Sequence, residues 1–212
     1  MDKIIADVRR AGCGLRTDKG ELTILCYADD AVLISENKDE LQKLLHQFYL
    51  TATLYNMMIS VPKTKSLVIA KEPIRCKLAV NDEIIEQVMS FKYLGVEISS
   101  NQDRKKEVQG QIDKAARISG CLKEIIWRNK HMKREAKVKI YKTCVRPIMT
   151  YAAETRADIR KTKSMVRTTE MRTLRAIAGY TLRDRVPNVA VREICGVQDI
   201  IRWIKRGAHT FA

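Results

Sequence analysis

The stretch LTILCYADDAVLIS, residues Leu22–Ser35, places two adjacent carboxylates, Asp29 and Asp30, between two apolar runs. Each run is long enough for one short strand, so strands are expected over 22–26 and 31–35, joined through Tyr27-Ala28-Asp29-Asp30. Ionised carboxylates beside buried strands are costly unless they are paired, hydrated or metal-bound. A hairpin tip meets that cost by lifting both groups off the sheet. Two carboxylates there could hold Mg²⁺, which wants oxygen ligands and keeps several of its waters. Two such ions about 3.5–4 Å apart would activate a hydroxyl and stabilise a leaving oxygen in phosphoryl transfer. Two successive aspartates cannot supply every ligand of such a site, so a third carboxylate from another strand is expected. Spacing alone leaves the simpler reading open, that Asp-Asp marks a turn, because Asp favours turns.

Working outward, MDKIIADVRR at 1–10 reads as the end of an amphipathic helix with Ile4, Ile5 and Val8 on one face, broken by Gly12, Gly14 and Gly20. That face is expected to be at risk of exposure. After the hairpin, Leu41, Leu44, Leu45, Phe48, Ala52, Tyr55 and Met58 recur at spacings of three and four, the mark of a helix. Asn37 can cap its start, with Glu40 three residues on as in a capping box. Strands are expected at 66–70, at 76–80 and 83–88 around Asn81-Asp82, and as a pair over 90–99 bent at Gly95. Residues 22–99 therefore predict a helix on a small antiparallel sheet, an α+β layer.

The texture changes near residue 100. Residues 1–100 carry 13 Lys/Arg against 14 Asp/Glu; residues 101–212 carry 27 against 11. The second half thus holds the whole of the net charge of +15, and long basic helices are expected over 103–127, 134–153 and 161–178. Pro147 should kink or break the second of these. Gly179 is a natural end for the third, and a short helix should run from Pro187 to Cys195. So lopsided a charge points to a polyanion such as nucleic acid. The bland alternative is a well-solvated, Lys/Arg-rich helical surface. The six cysteines form no C-x-x-C pair and no zinc pattern with the histidines, which suggests a reducing setting. No apolar stretch approaches the ~20 residues of a membrane span. An intracellular protein of the cytoplasm or nucleus is expected.

YADD at 27–30, with an apolar run on either side, resembles the catalytic motif C of reverse transcriptases. The likeness continues in order. ISVPKTKSLVI at 59–69 resembles the lysine motif that follows in non-LTR retrotransposon enzymes, and FKYLGVEIS at 91–99 resembles their Tyr-Leu-Gly hairpin. YKTCVRPIMTYAAET at 141–155 and LRDRVPNVAVREICGVQDI at 182–200 are similar to the helical region beyond the polymerase domain in insect-type endonuclease-reverse transcriptases. The resemblance implies the C-terminal part of a palm over 1–100 and a basic thumb or connection region over 101–212. It implies Asp29 as the main Mg²⁺ ligand, with Asp30 as ligand or electrostatic support. Tyr27 and Ala28 would lie near the primer end, and Lys63 would face the triphosphate of a dNTP. Tyr93, Leu94 and Gly95 would form the hairpin that grips the primer strand. Lys123, Arg128, Lys130, Lys133, Arg134 and Lys137 would meet the backbone of an RNA template, a DNA primer or their hybrid.

The pattern also departs from the family. Fingers, a nucleotide-positioning glycine motif and an earlier palm Asp are not seen, so Met1 reads as an internal methionine of a longer polymerase. Ser60 stands where Asn is usual before Pro62-Lys63-Thr64, and Arg156 where Trp often follows the YAAET-type motif. Two functions are expected to compete: a polymerase piece that does not extend a primer by itself and works with its missing N-terminal part, or an inactive or domesticated module that binds nucleic acid.

Overall fold

The computed structural model describes residues 2–210 apart from 19, 73, 102 and 154–158; for residues 104 and 208–210 it describes the backbone alone. Glu154 and Thr155 of the YAAET motif, with Arg156, lie outside the described residues. The chain divides into two compact units, residues 1–102 and 103–212.

The first unit opens with α1 (Asp2–Arg10). Ile4 and Val8 are one turn apart and fully buried, packed in a cluster with Ile24, Leu44 and Ala52. The exposure expected for this face does not occur: each of the two side chains gains roughly 1.5–3 kcal/mol by burial there. Hairpins β1 (Leu15–Thr17) with β2 (Gly20–Leu22), and β3 (Ile24–Tyr27) with β4 (Asp30–Leu33), follow. Gly14 lies so close to the end of β2 that a Cβ on it would sit 2.6 Å from the Leu22 carbonyl oxygen.

Helix α2 (Lys38–Leu54) begins at Asn37, whose Oδ1 accepts from the Glu40 backbone N–H at 2.9 Å. The expected capping box is only half made, because the Glu40 carboxylate accepts from Ser35 Oγ at 3.1 Å. The helix stops short of the apolar pattern: Asn56 takes φ +56°, a conformation Asn tolerates, and Tyr55 and Met58 are exposed beyond the end. Adjacent leucines face two clusters. Leu44 joins α1 and β3, while Leu45 joins Cys76, Leu78, Val80 and Ile85. Gln42 braces the second contact, its amide donating to the Ala79 carbonyl at 2.9 Å and accepting from the Ala79 N–H at 3.0 Å.

The remaining strands are β5 (Lys65–Ser66), β6 (Leu78–Val80), β7 (Glu83–Gln87), β8 (Ser90–Tyr93) and β9 (Val96–Ser99). Asn81 and Asp82 form the two-residue loop between β6 and β7, both with positive φ, as a type I′ turn requires. Two features differ from the expected sheet. Among the described residues the strands pair as small separate sheets, and β5 runs parallel to β7 on the edge opposite β6. The expected strand over 66–70 shrinks to its first residue with Lys65. Val68 packs on the second cluster without a ladder, so an apolar run meets its need for burial without strand pairing.

The second unit is helical: α3 (Arg104–Leu122), α4 (Arg134–Ile140), α5 (Arg146–Met149), α6 (Arg160–Ala178), α7 (Asn188–Cys195) and α8 (Ile200–Thr210). A π-helical turn, Lys123–Trp127, extends α3, and a second, Tyr141–Val145, joins α4 to α5. Pro147 therefore does not simply kink one helix. It sits in the first turn of α5, directly after the wide π turn. Gly179 and Gly196 end α6 and α7 with φ +80° and +57°. One apolar core, including Val108, Tyr141, Val145, Met149, Leu174 and Ile200, fills this unit.

Candidate metal centre and nucleic-acid interface

The β3–β4 hairpin is one-faced. Ile24 is buried and Cys26 half-buried on the core side, while Leu25 and Tyr27 are exposed, Tyr27 at 65%. The cost of placing charge beside a doubly buried sheet therefore does not arise. Tyr27 pairs with Asp30, which leaves Ala28 and Asp29 as a two-residue loop. Ala28 alone of the two takes positive φ, +53°, the left-handed side that favours glycine. A side chain in that conformation carries roughly 1–2 kcal/mol of strain.

Asp29 and Asp30 are both exposed, and neither carboxylate has a hydrogen bond or ion pair among the described residues. Hard oxygen donors of this kind suit a divalent cation that retains water. No group of three or more His, Cys, Asp or Glu able to hold a metal occurs among the described residues.

Tyr93 ends β8 and is half-buried. Burial pushes its phenol above the ordinary value, and the Asp30 charge and Cys26 thiol push the same way. The Asp30 charge is thus within electrostatic reach of the Tyr93 phenol. Leu94 and Gly95 form the β8–β9 loop, with φ +46° and +81°. Gly95 suits this type I′ backbone; Leu94 is a bulky residue held in a left-handed conformation. Lys63 lies on an exposed turn where its N–H donates to the Ser60 carbonyl at 3.1 Å, which also takes the Thr64 N–H and hydroxyl at 2.9 Å. No hydrogen bond or ion pair links Lys63 to the aspartates among the described residues.

In the helical unit, Lys123, Lys130, Lys133 and Arg134 are exposed. Arg128 is exposed too, and pairs with Glu124 at 2.9 Å. Lys137 overturns its expected role. It is only 8% exposed, and its ammonium donates to the Trp127 carbonyl at 2.9 Å, closing the end of the π turn. The signal was its place in the stripe Lys137, Tyr141, Val145, whose other members are core.

A buried ionic network was missed in the sequence. Glu170 is fully buried in α6 and accepts from Arg192 Nη2 at 2.8 Å and Nε at 3.2 Å, and from the Tyr141 hydroxyl at 3.3 Å. Arg192 also meets Asp199, which takes Arg167 and caps α8 through the N–H groups of Ile201 and Arg202. A single glutamate on the apolar stripe Val166, Glu170, Leu174, Ile177 was the available clue.

Residues 1–98 match the family described as reverse transcriptase (RNA-dependent DNA polymerase), a span that holds the aspartate hairpin, the lysine turn and the Tyr-Leu-Gly loop. Over 201 aligned residues, covering 90% of the chain, it is 27% identical to the RNA-directed DNA polymerase from mobile element jockey of Drosophila funebris. Over its first 98 residues the chain is thus similar to reverse transcriptases, and over most of its length to the polymerase of a mobile element. It spans 22% of the length of the jockey polymerase, and that alignment runs past the matched family region into the helical unit. No solved structure matches. Enzymes of the family are generally metal-dependent, in keeping with the oxygen donors at the hairpin tip.

Proposed function

We propose that the chain supplies the metal-holding hairpin and part of the nucleic-acid surface of an RNA-directed DNA polymerase. The observation that carries this reading is the tip of β3–β4, where Asp29 in the loop and Asp30 at the start of β4 stand exposed with no hydrogen bond or ion pair to either carboxylate among the described residues. Asp29 and Asp30 would hold Mg²⁺. Bound there, Mg²⁺ would supply charge stabilisation for the oxygens of a phosphoryl transfer. Tyr27, next to the loop and largely exposed, would contact the primer end, and Tyr93, within electrostatic reach of Asp30, would help to hold the primer strand. Lys63 would meet the phosphates of a dNTP as an exposed cation. Lys123, Lys130, Lys133 and Arg134, with Arg128 when it leaves Glu124, would contact the backbone of an RNA–DNA hybrid without reading sequence. The setting would be the cytoplasm or nucleus.

Primer extension on an RNA template tests this in a longer polymerase that carries these residues. Asp29→Asn is expected to lower Mg²⁺-dependent extension by about 10³-fold, the scale of several kcal/mol of lost charge stabilisation. Undiminished extension by the Asp29→Asn, Asp30→Asn double variant would refute the assignment. Hybrid binding by the 212-residue chain with no role for the aspartates would instead favour a binding module.

A further inference from the structure

The loop between α6 and α7 holds an exposed leucine followed by two arginines. Leu182 is 82% exposed, and Arg183 and Arg185 are exposed beside it. Neither guanidinium has a hydrogen bond or ion pair among the described residues. A single exposed leucine is ordinary on a protein surface. The bracing of this one is not. Asp184 Oδ2 accepts from both the Thr181 N–H, at 2.6 Å, and the Thr181 hydroxyl, at 2.8 Å. Arg175 Nη2 clamps the far end, donating to the Val186 carbonyl at 2.7 Å and Asn188 Oδ1 at 2.9 Å. Between these ties Arg185 is held at φ +52°, strained for a residue with a side chain. Polar side chains thus fix the loop's backbone, and the loop presents one exposed apolar side chain followed by two exposed cations.

We propose that this loop is a wedge for duplex nucleic acid, with Leu182 entering between base steps and Arg183 and Arg185 gripping the flanking phosphates. Apolar side chains accompanied by cations do this where a groove is open to them, and the minor groove of an A-like hybrid is wide and shallow. Charge favours such a partner over an apolar protein groove, since residues 101–212 carry 27 Lys/Arg against 11 Asp/Glu. The inference rests on the nucleic-acid binding proposed above, adds a contact separate from the residues 123–134, and predicts distortion of the duplex rather than backbone contact alone.

The test uses the full chain and an RNA–DNA hybrid carrying 2-aminopurine in the DNA strand, with binding followed across salt concentrations. Binding should raise 2-aminopurine fluorescence as a step unstacks. Leu182→Ala should weaken binding about tenfold, suppress the rise and leave the salt slope unchanged. Arg183→Gln with Arg185→Gln should reduce the slope of log K against log salt by about 2. Equal melting temperatures for the variants and the parent exclude a folding defect. If the parent binds the hybrid and both variants match it in affinity, slope and fluorescence, the wedge is wrong while the polymerase reading stands. If the parent does not bind the hybrid at all, both fall. Capture of an acidic peptide that competes with the hybrid only through Leu182 would also overturn the wedge.

Discussion

At residue scale the informative positions are those whose backbone or burial contradicts their side chain. Ala28 is one. Ala28→Gly removes the penalty of a left-handed alanine, offset in part by the greater freedom glycine gains in the unfolded chain. A stabilisation of up to about 1 kcal/mol is expected, read as a higher urea midpoint at unchanged slope; a lower midpoint would mean that the Ala28 methyl packs usefully. Lys137 is another. Its charge made it look like a phosphate contact, whereas its phase in the helix put it in the core. Charge type is written in the sequence, but whether a cation faces a phosphate or a carbonyl depends on helix phase, and the π turns shift that phase. The position of Asp29 and Asp30 at a hairpin tip was legible because a tip needs no tertiary partner. The electrostatic reach of Asp30 to Tyr93 was not, since it joins residues some sixty positions apart in the sequence.

At element scale, the ends of helices were readable from local chemistry. Asn37, Gly179, Pro187 and Gly196 act within one turn of themselves, and each marks a terminus. Strand lengths were less readable, since burial of Val68 is satisfied equally by a strand or a packed loop. The junction of α6, α7 and α8 is governed by Glu170, Arg192 and Asp199, and it should show in pH dependence. Burial opposes ionisation of Asp199, but the Arg167 bond and the Arg202 N–H outweigh it and hold its carboxyl below the ordinary value. Its contribution is therefore present above the unfolded value and lost as pH falls through the folded one. Glu170 has the opposite sign. Burial holds its carboxyl up, so its contribution is fully present below its unfolded value and is lost as pH rises through the folded one. Between about pH 5 and pH 3, thermal melts should show the parent losing more stability than Asp199→Asn, because the variant keeps only the Glu170 term. Parallel curves would mean that Asp199 is not ionically coupled to folding.

At the scale of the whole molecule, the α+β half and the helical half each have their own interior. Clusters of the first draw on residues up to Ile85, and the core of the second on residues from Val108 to Ile204. A segment of residues 103–212, about the size of a common domain, should therefore fold alone. Cooperative urea unfolding of that segment by circular dichroism is the expected result, and a broad, non-cooperative transition would contradict it. The change in charge near residue 100 was visible in the sequence. That each half closes its own core was not, because it depends on which apolar stripes meet.

The π turn at Tyr141–Val145 holds one residue more than an α turn would, absorbed without a loop. In the comparison of related sequences such a residue behaves as an insertion inside a helix. A relative lacking it would align with a one-position gap between 141 and 145, and moving that gap to the nearest loop would misalign every core position of α5 by one residue.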